Sequence, residues 1–198
     1  PSPVGVADII TSTTHKTLRG PRGGIAMISK ELSRKYDRGI FPMIQGGPIM
    51  NTILAKAVAF KEALSNDFKN YSTNIISNSK LLAKIFQEGG LRIVSGGTDN
   101  HLMLLDLRNI KINGSEAEEK LNSVGIIVNK NAIPFDPLPP NTTSGIRVGT
   151  PAITTRQINE EDLSTIGDLI VQTLKTPTKK LSVIKSKVTR IMQELPLP

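Results

Sequence analysis

Hydrophobic and polar positions change period several times along the chain, and each change predicts an element. Residues 6–13, "VADIITST", alternate and are rich in β-branched side chains, which predicts a strand ending just before Lys16. "GPRGG" breaks it, and "IAMIS", residues 25–29, predicts a short buried strand. Ser29 stands where it can cap a helix over 30–38, with Glu31 set against the positive end of its dipole. "GIFPMIQGGP", residues 39–48, is rich in Gly and Pro and is expected to be an irregular loop. From Pro48 to Gly89 the spacing is helical, with Ile49, Ile53, Ala57, Leu64, Phe68, Tyr71, Ile75, Leu82 and Phe86 on one face and Gly89 and Gly90 as a stop signal. Such an element exceeds the usual length of a globular helix, so it predicts a spine joining two domains, with a bend or break near Ser65 and Asn66. The boundary is placed near residue 70.

Beyond the spine the pattern shortens. "LRIVS" (91–95) and "HLMLLDL" (101–107) predict strands flanking the turn "GGTDN", and "SEAE" at Ser115 to Glu118 predicts a capping box opening a short helix. "GIIVN" (125–129) and "GIRVG" (145–149) predict two more strands, separated by a proline-rich loop over 130–144. Asn159, followed by three acids, predicts the start of a further helix. Leu181, Ile184, Val188 and Ile191 recur at helical spacing near the C-terminus. Strands and helices in this order indicate a small α+β layer domain over 71–198.

Composition narrows the chemistry. A chain of 198 residues with 38% hydrophobic content is long enough for one full core or two small ones. It contains no run approaching a membrane span and no secretory signal, so a soluble, cytoplasmic protein without membrane association is expected. There is no cysteine, and His15 and His101 are the only histidines, which argues against a metal site. The net charge of +8 invites a nucleic-acid reading. However, the basic excess is concentrated over residues 175–190, on the polar face of the C-terminal helix, and aromatic residues that could stack bases are scarce. Nucleic acid is therefore not expected as the main partner, and a basic binding fragment remains the alternative from a different class.

The stretch "TSTTHKTLRGPRGG", residues 11–24, carries the sharpest chemical signal. A lysine held at a strand end among hydroxyls, a histidine and two arginines is placed as a nucleophile more than as a solvated charge. Arg19 and Arg22 supply cations, and nearby cations disfavour the protonated form of an amine. A neutral amine can attack a carbonyl and form a Schiff base.

"TTHKTLRGPRGG" resembles the cofactor-lysine motif of the serine hydroxymethyltransferases, a family of fold-type I pyridoxal 5′-phosphate enzymes. Four further stretches match the family in order: "QGGP" (45–48), "VSGGTDNHL" (94–102), "VNKN" (128–131) and "SGIRVGTPAITTR" (144–156). The resemblance implies an α/β chain made of the end of a large parallel-sheet domain, a long connecting helix and a small α+β domain. It implies that Lys16 holds the cofactor as a Schiff base, with His15 close to the cofactor and Thr13 hydrogen-bonding around that linkage. Arg22, Gly46 and Gly47 would contact the cofactor, the two glycines reaching the phosphate of a neighbouring subunit, so a homodimer or dimer of dimers is expected. Arg147 would bind the carboxylate of serine or glycine. Asn131, Pro139, Pro140 and Asn141 would hold the pteridine of tetrahydrofolate, although "LPPN" departs from the family's usual wording there.

Members of the family carry a large segment before the lysine motif, including the acid at the cofactor's pyridine nitrogen and the histidine that stacks on its ring. The chain opens at Pro1, close to the motif. It is therefore expected to be a C-terminal half that is inactive alone, its parent belonging to one-carbon metabolism and amino-acid biosynthesis. Another fold-type I enzyme, such as an aminotransferase, is the alternative within enzymes.

Overall fold

A computed structural model describes residues 2–197, and the chain divides into two compact units, Pro1–Lys69 and Asn70–Pro198. In the first unit, β1 (Ile9–Thr13) pairs antiparallel with β2 (Gly24–Ile28) and places Thr13 opposite Gly24. The strand begins later than its alternating pattern because the N–H groups of Val6 and Ala7 both bond to the Pro3 carbonyl, closing a turn. Nor is β2 the buried strand its apolar run suggests. Met27 is 44% exposed, since a lone pair of strands leaves both faces within reach of water.

Ser29 does not cap a helix. Its N–H extends the ribbon by bonding to the Asp8 carbonyl, its own carbonyl accepts from Leu32, and helix α1 starts only at Ser33 (Ser33–Arg38). Glu31 consequently precedes the helix. Gly39–Ile44 forms one wide turn interrupted at an extended Phe41, where a featureless loop is expected from the glycines and proline. The predicted spine is two helices, α2 (Met50–Ala63) and α3 (Asn66–Glu88). Ser65 makes the break: its Oγ accepts from the Phe68 N–H at 3.2 Å, in the manner of an N-cap. The apolar stripe divides at the same place. Ile49 and Leu64 stay exposed, whereas Ile75, Leu82 and Phe86 are buried.

The second unit is built on a four-stranded antiparallel sheet in the order β3–β4–β6–β5 (Arg92–Ile93, Leu102–Asp106, Gly145–Gly149, Asn129–Asn131). Alternation sets its two faces. Met103, Leu105, Ile146 and Val148 point into the core, where they meet Leu82 and Phe86 of α3, Leu121 of α4 (Gly114–Ser123), Leu163 and Ile170 of α6 (Glu160–Lys175), and Ile184 and Val188 of α7 (Ser182–Glu194). Each such side chain contributes about 1.5 to 3 kcal/mol by its burial.

Two expectations for this unit need correction. The cap of α4 is Asn113, whose side chain accepts from the Glu116 N–H, so Ser115 already lies inside the helix. Glu118 instead accepts from the Lys130 N–H at 3.0 Å and steadies β5. The strand read over 125–129 is displaced to Asn129–Asn131 because 124–126 are used in ending α4. Gly125 adopts a left-handed conformation (φ 86°) and the Ile126 N–H returns to the Leu121 carbonyl. By contrast, Asn159 caps α6 through the Asp162 N–H with three acids in the first turn, and α7 buries Ile184, Val188 and Ile191. Short helix α5 (Pro151–Thr155) follows β6 directly. Every strand pair among the described residues is antiparallel, and no helix among them is long and apolar enough to cross a membrane.

Candidate functional site

The first candidate site is the loop between β1 and β2. Its pivot is Thr14, fully buried, whose Oγ1 donates toward the Pro21 carbonyl (2.7 Å) and lies 3.2 Å from that of Gly23. The Thr14 backbone completes the knot, its N–H bonding to the Gly23 carbonyl and its carbonyl accepting from Gly20 at 2.7 Å. Gly20 has to approach this closely, because a Cβ there would sit 2.7 Å from the Thr14 oxygen. Lys56 of α2 reaches in and donates to the Gly24 carbonyl at 2.8 Å. With its base held in this way, the loop carries His15, Lys16 and Arg22 within eight residues of one another, next to Thr13 at the end of β1.

Each predicted residue of this unit has a definite setting. Thr13 and His15 are half-buried, and Nδ1 of His15 accepts from the Gly23 N–H at 3.4 Å, which leaves Nε2 to carry the ring proton. Lys16 is exposed, and its amine has no hydrogen-bond partner among the described residues. Arg22 is exposed, whereas the guanidinium of Arg19 lies 5.6 Å from the Phe68 ring centre, a cation–π stacking distance. Gly46 and Gly47 lie on a separate exposed loop with open space around each, so their backbone is accessible.

The second candidate site is on the outer face of the four-stranded sheet. Arg147 of β6 is exposed, opposite Leu104 on one side and Asn129 on the other, and its guanidinium is 3.5 Å from the Asn129 side-chain oxygen. Asn131 is opposite Gly145, two residues along, so by register Asn129, Asn131 and Arg147 share one face. Gly145 allows this close pairing, because a Cβ there would lie 2.5 Å from the Leu105 carbonyl and 3.0 Å from that of Asn131. The Asn131 amide is held by the Ala132 carbonyl at 2.8 Å. Pro139, Pro140 and Asn141 form the exposed tip of the loop before β6, where the Pro139 carbonyl accepts from both Thr142 and Thr143.

Sequence reasoning passed over three residues that organise these sites. Thr14 was hidden among like hydroxyls, and only burial separates it from Thr13. Lys56 has no local signal. Asp136, in "FDP", is an aspartate beside a proline, the composition of a side-chain-stabilised turn, and that signal was available. Burial acts to raise its pKa, but hydrogen bonds from the Ser144 hydroxyl and from the Leu138, Ser144 and Ile133 N–H groups outweigh it. They hold the carboxyl far below the ordinary carboxylate range.

Comparison with known proteins decides the family. The family model for serine hydroxymethyltransferase matches residues 1–170. The chain belongs to this family. It is 56% identical over 199 aligned positions to the serine hydroxymethyltransferase of Myxococcus xanthus (strain DK1622), an alignment covering 100% of the chain and 48% of that relative. It is 50% identical over 195 positions to that of Coprothermobacter proteolyticus (strain ATCC 35245 / DSM 5265 / OCM 4 / BT), covering 98% of the chain and 46% of that relative. The chain thus spans about half the length of the curated relatives it matches. The family has the fold-type I pyridoxal-phosphate architecture, and the mixed helices and antiparallel sheets seen here accord with a C-terminal part of it.

The residues present fit the family's cofactor. An exposed amine on a loop anchored by a buried hydroxyl, with a histidine, a threonine and an arginine in the same short stretch, suits an aldehyde-bearing aromatic ring with an anionic tail.

Proposed function

We propose that the chain carries part of the machinery of a cytoplasmic, homodimeric serine hydroxymethyltransferase, which interconverts serine and glycine and passes the one-carbon unit to tetrahydrofolate. The observation that carries this reading is the pair of ordered sites, a free amine on an anchored loop and an exposed guanidinium flanked by asparagines. Residues 1–70 correspond to the end of the large cofactor-binding domain and 71–198 to the small domain. The chain spans about half the length of these relatives.

Lys16 holds pyridoxal phosphate, which when bound supplies an electron sink for chemistry at the amino acid's α-carbon. The other roles belong to the chain's own groups. Arg147 takes the substrate carboxylate in the two-pronged geometry that a planar guanidinium offers and an ammonium does not. That grip fixes the orientation of the α-carbon bonds. Thr13 and His15, close to Lys16 in the sequence, would steer the proton of its amine, while Arg22, with Gly46 and Gly47 of a neighbouring subunit, would hold the cofactor's phosphate. Asn131, Pro139, Pro140 and Asn141 face the pteridine.

The test is serine cleavage by an enzyme preparation containing the whole chain. The rate should depend on tetrahydrofolate, and Arg147→Lys should cost about 1.5 to 3 kcal/mol of serine binding, roughly ten- to a hundredfold in KM. Transamination indifferent to folate, or an Arg147→Lys variant with unchanged KM, contradicts the reading.

A further inference from the structure

Asp136 lies in neither set of proposed contact residues, yet its carboxylate ties them together. One oxygen accepts from the Ile133 N–H (3.1 Å) and the Ser144 N–H (2.8 Å). The other accepts from the Leu138 N–H (2.9 Å) and the Ser144 hydroxyl (2.6 Å). Ile133 is two residues beyond Asn131, and Ser144 is three residues before Arg147. A single side chain therefore fixes both ends of the loop that separates them.

The surroundings make this brace rigid. Ser144 is 1% exposed, and its carbonyl accepts from the Leu107 N–H. The carbonyls of Thr142 and Thr143 accept from the Ser115 and Gly114 N–H groups at the start of α4. Thr143 is buried in a left-handed conformation (φ 57°), a position that stays occupied only where its neighbours over-determine it. The tip is the opposite: Phe135 is fully exposed, and Pro139, Pro140 and Asn141 are exposed as well. A fixed base beneath a solvent-facing tip presents ligand contacts at a set spacing.

We propose that Asp136 is a positioning residue, whose carboxylate sets the placement of Asn131 and the 139–141 tip relative to Arg147 and so couples folate and amino-acid binding. This rests on the functional reading above. Asp136→Asn keeps the side-chain volume but replaces an acceptor oxygen with a donor, which faces N–H or O–H groups and opens part of the brace. In an enzyme preparation containing the whole chain, KM for serine and for tetrahydrofolate should both rise about tenfold, with kcat changing less than about twofold. A lower melting temperature with both KM values unchanged would mean a fold brace alone and would overturn the proposal. If Asp136→Asn does not fold, Ser144→Ala removes only the hydroxyl bond and should raise both KM values about threefold, and no rise overturns it. A wild-type preparation without folate-dependent serine cleavage would refute the functional reading instead. The brace is then judged by hydrogen exchange in Asp136→Asn: faster exchange at the Asn131 and Arg147 amides supports it, and unchanged exchange there overturns it.

Discussion

Thr14 shows how much one hydroxyl can organise. Lys16 lies two residues on in a loop that makes no regular structure of its own, so its position depends on the backbone being tied down upstream. The Thr14 hydroxyl does this from a fully buried site, against two carbonyls. Thr14→Val keeps the shape but leaves the Pro21 carbonyl without that donor, and should cost about 1 to 3 kcal/mol. Chemical denaturation checks the cost, and limited proteolysis should show new cleavage between residues 14 and 23. An unchanged denaturation midpoint and cleavage pattern would mean that the loop is held elsewhere. At this scale the sequence was informative about chemistry and silent about burial. It pointed to Lys16 through residue type and setting and to Arg147 through the family resemblance, but nothing local distinguishes Thr14 from Thr13, or marks Lys56 as reaching the Gly24 carbonyl.

Elements were readable where one face is buried and one end is capped by chemistry that competes with nothing. Helix α6 is the clearest case, with Asn159, three acids and a buried stripe all in agreement. Readings failed where two signals overlapped. The "SEAE" box lost to Asn113, which stands just before the first turn of α4, and the apolar run 125–129 lost its start to the left-handed turn that ends that helix. Strand β6 adds a feature that only coordinates reveal, an acid against its entry from two directions. Asp136 bonds to Ser144. Asp106, opposite Gly145, is held low in pKa chiefly by side-chain hydrogen bonds from Arg108, against a smaller opposing effect of burial, with Arg92 adding a salt bridge. Both carboxyls titrate lower when folded than when unfolded, so the stability they contribute is complete above the ordinary carboxylate range and is lost as pH falls below it. The melting temperature should therefore fall progressively below about pH 5, and Asp106→Asn should flatten that slope. A slope identical in wild type and variant would contradict the assignment.

For the whole molecule, the first unit contains the candidate amine and the second the candidate carboxylate clamp, and each is built around its own anchors. The two relatives match over 98–100% of the chain, so the similarity extends over both units. The central claim is that the Lys16 amine condenses with an aldehyde cofactor. The direct measurement is to add pyridoxal phosphate to the chain, reduce with borohydride, and map the modified peptide by mass spectrometry. The reduced adduct should be found on Lys16 and should disappear in Lys16→Ala. Label spread over other lysines, with Lys16 unmodified, would contradict it.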